Sequence, residues 1–302
     1  MRVVFKYVFI LLLIEFMFTS AVLSKEKIRI VTTNTVLSDL AGQVGGDLVE
    51  VESIARGNQD PHYIEILPSY MMKVRNADIF LMIGMELELW AYQVIDGSRN
   101  AKLKVIDCSK EIEKQEVPSF RVDARYGDIH RFGNPHYWLD PMNAEKIMNA
   151  LLEGLMEVSP ENLDSFIKNI GEYTEKINKK IAVWSEKMEP YKGTPVIFYH
   201  NQWSYFCDRF GIVPANFLEP KPGIKPSASH VAKLIKQMND QKIQVVIMSS
   251  FYEDRNPKLL SRATGAKLVK VSTVIDSDMG IKSYIELFDF LIDIFIKNIS
   301  GK

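Results

Sequence analysis

Residues 159–188 read SPENLDSFIKNIGEYTEKINKKIAVWSEKM, and the fold turns on how this stretch is read. Apolar side chains recur at Leu163, Phe166, Ile167, Ile170, Tyr173, Ile177, Ile181, Trp184 and Met188. Steps of three and four put them on one face of a helix. Ser159-Pro160 is its start signal, a capping hydroxyl followed by a proline suited to the first turn. About thirty residues rising ~1.5 Å each make a rod of roughly 45 Å. A rod that long outreaches one small lobe. It predicts a rigid linking helix, 159–189, between a first lobe, 25–158, and a second, 190–302.

The flanks support that division. Before the rod, strand-like segments at 28–33, 49–55, 78–83 and 103–107 alternate with helical spacing at 36–44, 69–76 and 87–95. After it, strands at 195–199, 214–218, 243–249 and 267–271 alternate with helices at 202–210, 228–239, 257–264 and 281–296. Asp140-Pro141 predicts one further helix start before the rod. Such alternation predicts βαβ units. The expected fold is therefore α/β: two similar βα lobes with parallel sheets, the second repeating the first without a visible sequence repeat.

The amino terminus reads as an export signal. Arg2 and Lys6 precede an apolar core at 8–14, interrupted at Glu15, and Val22-Leu23-Ser24 is a small-residue cleavage site. The run is too short to span a bilayer comfortably. Residues 1–24 are expected to be cleaved and the mature chain to be periplasmic. No cysteine lies near the cleavage point, so lipid attachment there is not expected. Removing the signal takes away two basic side chains and one acidic one, moving the formal charge from −1 to −2. A near-neutral chain gives no sign of a basic nucleic-acid surface, and a monomer is the simplest expectation. Cys108 and Cys207 form no Cys-x-x-Cys pair. They are read as separate buried thiols, not as a cysteine-based zinc or redox site.

Chemistry concentrates in three of the five histidines. His62 stands in Asp60-Pro61-His62, His136 in Asn134-Pro135-His136-Tyr137-Trp138-Leu139-Asp140-Pro141, and His200 ends the apolar run 195–199. In open α/β sheets ligands bind beyond the carboxyl ends of the strands, and all three fit that position. Two belong to the first lobe and one to the second, so a site joining them lies in the cleft. Neutral imidazoles suit zinc and other late first-row divalent ions, and Pro61 and Pro135 restrict the backbone that carries them. A fourth ligand is expected from 271–278, where Asp276 is preferred to Asp278 because it sits closer to the strand end. A lone histidine beside a strand is more often hydrogen-bonded or exposed than a ligand; three in matched positions change that balance. His130, in a polar loop that could still reach the cleft, and His230, near a helix start, stay on the bland side.

With these residues in view, the chain resembles the periplasmic metal-binding components of zinc and manganese ABC importers, the cluster A-I solute-binding proteins. Four motifs carry the likeness: Asp60-Pro61-His62-Tyr63-x-Glu65-x-x-Pro68-Ser69; Gly127-Asp128-Ile129-His130 leading into the His136 segment; His200-Asn201-Gln202-Trp203-Ser204-Tyr205-Phe206; and Glu219-Pro220-Lys221-Pro222-Gly223-Ile224-x-Pro226-Ser227. The resemblance covers essentially the whole mature chain. It implies two βα lobes, a rigid linking helix, metal held between the lobes and delivery to a membrane permease driven by a separate ATPase. It carries His62, His136 and His200 over as ligands. Histidine at the third position favours zinc, since manganese-binding relatives tend to place a carboxylate there; manganese stays the second choice.

Two departures stand out. The long His-rich loop of many zinc-uptake members is missing, so accessory capture is not expected. The segment around Asp276-Ser277-Asp278 is shorter than in members with an assured carboxylate, which keeps a three-histidine site completed by water as an alternative. The expected function is a non-catalytic carrier of one divalent ion. The competing readings are a zinc hydrolase or hydratase, for which no HExxH helix is present, and a metal-binding adhesin or chaperone of the same fold.

Overall fold

A computed structural model of the chain describes residues 27–120, 122, 127 and 130–299. The expected signal segment, 1–24, lies outside them. Four strands build the first sheet: β1 (Ile28–Thr32), β2 (Val49–Ser53), β3 (Ile79–Met82) and β4 (Lys104–Asp107), in the order β2-β1-β3-β4. The second sheet uses β5 (Pro195–Phe198), β6 (Val213–Phe217), β7 (Val245–Ser249) and β8 (Lys267–Val271), in the order β6-β5-β7-β8. Every pairing is parallel. The two orders are the same pattern shifted by four strands, so the second lobe repeats the first as the alternation predicts.

Helices α1 (Thr35–Gly45), α2 (Pro68–Arg75), α3 (Leu89–Ser98) and α4 (Asn143–Val158) cover the first sheet. The second has α6 (Ser204–Phe210), α7 (Ala228–Gln241), α8 (Arg255–Thr264) and α9 (Tyr284–Ile299). Between them runs α5 (Leu163–Met188), 26 residues long, which at ~1.5 Å per residue spans roughly 39 Å. It is shorter than the sequence implies because Pro160–Asn162 and Glu189–Tyr191 wind as tighter 3-10 turns at its ends. Its buried face is Phe166, Ile170, Tyr173, Ile177, Ile181, Trp184 and Met188. Ile167, expected on that face, is 51% exposed. The start predicted at Asp140-Pro141 also moves. Tyr137–Leu139 forms a 3-10 turn and α4 begins at Asn143, two residues after Pro141; the Asp140 carboxylate accepts from Met142 N–H and from Nε and Nη2 of Arg209.

The lobes are not separately packed. One continuous hydrophobic cluster runs from Ile30 and Leu40 through Phe166, Tyr173 and Trp184 into Phe198, Phe206 and Phe295. Helix α9 provides a second tie. Tyr284 N–H donates to Asp39 Oδ2 at 2.9 Å, its hydroxyl donates to the Trp138 carbonyl, and Asp289 holds both Lys180 and the Trp184 indole of α5. Opening the cleft would tear a shared core, because interiors packed at crystal-like density do not shear continuously. X-ray scattering curves of the demetallated and zinc-loaded protein should therefore superimpose closely. A large drop in radius of gyration on loading would contradict this rigidity.

Among the described residues no helix is long and apolar enough to cross a membrane. Cys108 and Cys207 are separate, buried and free, as read from their spacing.

Candidate metal centre

The site forms where three loops meet. His62 lies in the loop between β2 and α2, His136 just ahead of the 3-10 turn Tyr137–Leu139, and His200 directly beyond β5. Pro61 turns its carbonyl onto the Trp90 indole N–H, 2.9 Å away, which anchors the His62 loop to α3. Trp138 anchors the second loop across the lobes, its indole donating to the Thr273 carbonyl at 2.7 Å while its ring packs 5.2 Å from that of His136.

One donor nitrogen from each of His62, His136 and His200 lies within 4.8 Å of the other two. Each ring is oriented from its far side. His62 Nδ1 meets Asp60 Oδ1 at 2.7 Å, His136 Nδ1 meets Asn134 Oδ1 at 2.8 Å, and His200 Nδ1 meets Glu219 Oε2 at 2.8 Å. These oxygens accept, so each Nδ1 carries the proton and each Nε2 keeps its lone pair. Outer-shell acceptors of this kind orient imidazoles that bind metals. His136 Nε2 and His200 Nε2 are buried with no hydrogen-bond partner, although buried polar atoms are nearly always paired. Two orphaned lone pairs converging on one point fit a divalent cation.

The electrostatics agree. Burial, then the neighbouring His62, His200 and His130 rings, pushes His136 well below the ordinary imidazole range, which keeps it a neutral donor. Burial works to raise the Asp60 carboxyl, but hydrogen bonds from the His62 ring and backbone help outweigh it and leave the group lowered. A cavity of about 210 Å³ opens onto the centre, walled by Pro118, Phe120 and Pro222 with His136 and His200 in its lining.

The structure does not bring Asp276 into the three-histidine group. The residue is buried, and its Oδ1 accepts from Asp278 N–H at 3.0 Å, capping the turn Ser277–Met279. The His62 loop nevertheless reaches this segment. Gly57 approaches so closely that a β-carbon there would sit 2.4 Å from the Ile275 carbonyl oxygen and 2.6 Å from Asp276 Cα. Asp278 takes a 3.4 Å contact from Asn58 Nδ2. His230 is in α7, with its Nε2 3.0 Å from the Phe217 carbonyl, and plays no part in the group. His130 proves closer than its polar loop suggests, with Nε2 3.4 Å from His62 Nε2. Glu219, the partner of His200, carries no ligand signal of its own in the sequence, although it heads the fourth motif.

Behind the site, Glu88 is buried and accepts from Thr33 Oγ1 and from the Ile83 and Gly84 N–H groups. Burial raises its carboxyl to about 7 despite these donors. A raised folded value contributes stability that is complete below the unfolded value of 4.5 and is lost as pH rises through about 7. Urea unfolding of the demetallated protein should thus show the parent losing roughly 3 kcal/mol relative to Glu88→Gln between those limits. A difference independent of pH would refute that account.

Fold and site together define a class: two-lobed α/β proteins that gather imidazoles in the cleft between the lobes. Residues 30–297 match the family model described as zinc-uptake complex component A, periplasmic, and the chain belongs to that family. Its relatives include the iron-binding protein YfeA of Yersinia pestis, 27% identical over 90% of this chain and 86% of that one. The manganese ABC transporter substrate-binding lipoprotein PsaA of Streptococcus pneumoniae is 25% identical, over 81% and 79%. The zinc-binding lipoprotein AdcA of the same species (strain R6) is 24% identical, over 80% of this chain but 49% of its own length. Among solved structures, a crystal structure of ZnuA superposes with a TM-score of 0.79 at 19% identity, covering 91% of this chain and all of that one. At that identity the likeness speaks for the fold.

Proposed function

We propose that this protein is an exported carrier that takes one divalent metal ion, zinc in the first instance, into the cleft and delivers it to the membrane permease of an ABC-type importer. The observation that carries the reading is the convergence of three imidazoles, two with orphaned, buried Nε2 atoms, at the meeting of the lobes. His62, His136 and His200 are the ligands. Asp276 is the carboxylate the sequence offers for a fourth position; its Oδ1 caps the Ser277–Met279 turn, which lies against the His62 loop. Relatives in this family carry names for zinc, manganese and iron, so the donor set has to choose. Nitrogen donors rank zinc above manganese, which favours more oxygen, and above ferrous iron in the general order of divalent affinities.

A carrier is preferred to a hydrolase on the site's own chemistry. Each of the three rings is locked by an outer acceptor, and the shared core holds the lobes together. Nothing in the mature chain's charge asks for nucleic acid, and the carrier is expected to act as a monomer. Calorimetric titration of the demetallated protein with zinc and then with manganese tests the reading. One tight zinc site with manganese clearly weaker is expected. No tight site for either ion would remove the carrier reading, and turnover of ester or anhydride substrates by the zinc form would favour the enzyme.

A further inference from the structure

His130 is held over the cleft by an arrangement that its sequence context does not announce. Gly84, Met85 and Glu86 run consecutively at φ values of 82°, 53° and 66°, a conformation that glycine adopts freely and side-chain-bearing residues rarely do. At Gly84 a β-carbon would collide with the Asp107 carboxylate at 2.0 Å. Glu88 fastens the base of this turn through the Ile83 and Gly84 N–H groups. The turn presents Glu86, whose Oε1 accepts from Arg131 Nε at 2.7 Å and whose Oε2 accepts from the Arg131 backbone N–H at 3.1 Å. The Glu86 backbone also hydrogen-bonds the His130 ring. Strained backbone that persists in this way tends to mark functional sites.

The consequence is metric. His130 Nε2 stands 3.4 Å from His62 Nε2. Two nitrogens bound to zinc at about 2.0–2.1 Å with tetrahedral angles are separated by roughly 3.3–3.4 Å. The alternative, a hydrogen bond from His130 Nε2–H to the His62 lone pair, would be long against a usual limit of about 3.2 Å. The rings stack at 5.4 Å between centroids. His130 also lines the same cavity as His136 and His200.

We propose that His130 ligates the metal through Nε2, completing a four-imidazole shell, with Glu86 and Arg131 as the clamp that positions it. The inference rests on the carrier reading above. His130 lies outside the group whose donors are mutually within 4.8 Å, so the bound ion draws its ring inward to close the shell. Each ligand then has an outer partner: Asp60 for His62, Asn134 for His136, Glu219 for His200 and the Glu86 backbone for His130. Asp276 keeps its capping role in this arrangement.

X-ray absorption of the zinc-loaded protein counts the imidazoles, and competition with a chromophoric chelator gives the affinity. Four imidazoles in the parent, three in His130→Ala, and an affinity loss of at least about tenfold in that variant, the scale that even outer-shell partners command, are expected. Asp276→Ala should keep four. Arg131→Ala should weaken zinc less than His130→Ala and leave the count at four. Circular dichroism and the melting temperature of the demetallated variants show whether each one folds; His130→Gln serves if His130→Ala does not. Three imidazoles plus oxygen in the parent, unchanged by His130→Ala and altered by Asp276→Ala, would overturn the proposal and leave the carrier intact. Absence of zinc binding in the parent would instead defeat the carrier reading itself.

Discussion

Replacing His136 by alanine should weaken zinc binding by about two orders of magnitude or more. The apparent free energy of a structural zinc site is ~10–16 kcal/mol, so each of four donors contributes roughly 3 kcal/mol, about a hundredfold in affinity. The full loss is expected here because the donor is buried and fixed in orientation. His136 is 1% exposed, its Nδ1 is committed to Asn134, and its orphaned Nε2 faces the other rings. Zinc at a hundred times its dissociation constant stabilises the folded state by about 2.7 kcal/mol, and His136→Ala should forfeit most of that thermal upshift. Imidazole must be neutral to ligate, and burial holds His136 well below the ordinary imidazole range, so proton competition at this ligand begins only under more acid conditions. Retention of parental affinity by His136→Ala in a chelator competition would exclude the three-histidine centre.

Replacing Trp184 by alanine should destabilise the whole molecule by about 3–5 kcal/mol, the range for large aromatic truncations in a core. Trp184 is fully buried on α5, packs with its ring centroid 5.2 Å from that of the tilted Phe288 ring and donates its indole N–H to Asp289 Oδ1 at 2.8 Å. Its partners belong to α9, which is tied in turn to the first lobe through Tyr284. The damage should therefore spread to both lobes and lower the melting temperature by roughly 10 °C in one transition. Two separated calorimetric transitions, one at the parental temperature, would show that the lobes unfold independently and that the continuous core is energetically divided.

The linking helix, both sheets and the two-lobe plan follow from periodicity, which is a local property. Helical spacing survives because side chains at i, i+3 and i+4 share a face whatever lies opposite. Ile167 shows the limit. It obeys the spacing yet is exposed, because the covered arc is set by where α1, α4 and α9 come to rest. Asp140-Pro141 shows another: the Asp140 carboxylate accepts from the Met142 N–H as a start signal should, yet it also pairs with Arg209, 69 residues away, which no local pattern announces.

The candidate site divides the same way. His62, His136 and His200 were legible from proline-bounded motifs and strand ends, and the family likeness rests on those residues. That Glu219 orients His200, that Asp276 caps its own turn outside the group, and that His130 stands 3.4 Å from His62 were not. These relations join segments dozens of residues apart, and they depend on how the lobes dock and on a run of left-handed backbone at 84–86. By itself the sequence determined which elements form and which three imidazoles point toward a cleft. Only the tertiary structure decided what surrounds them, because a metal shell is a matter of ångström distances between loops and local periodicity carries no information about those.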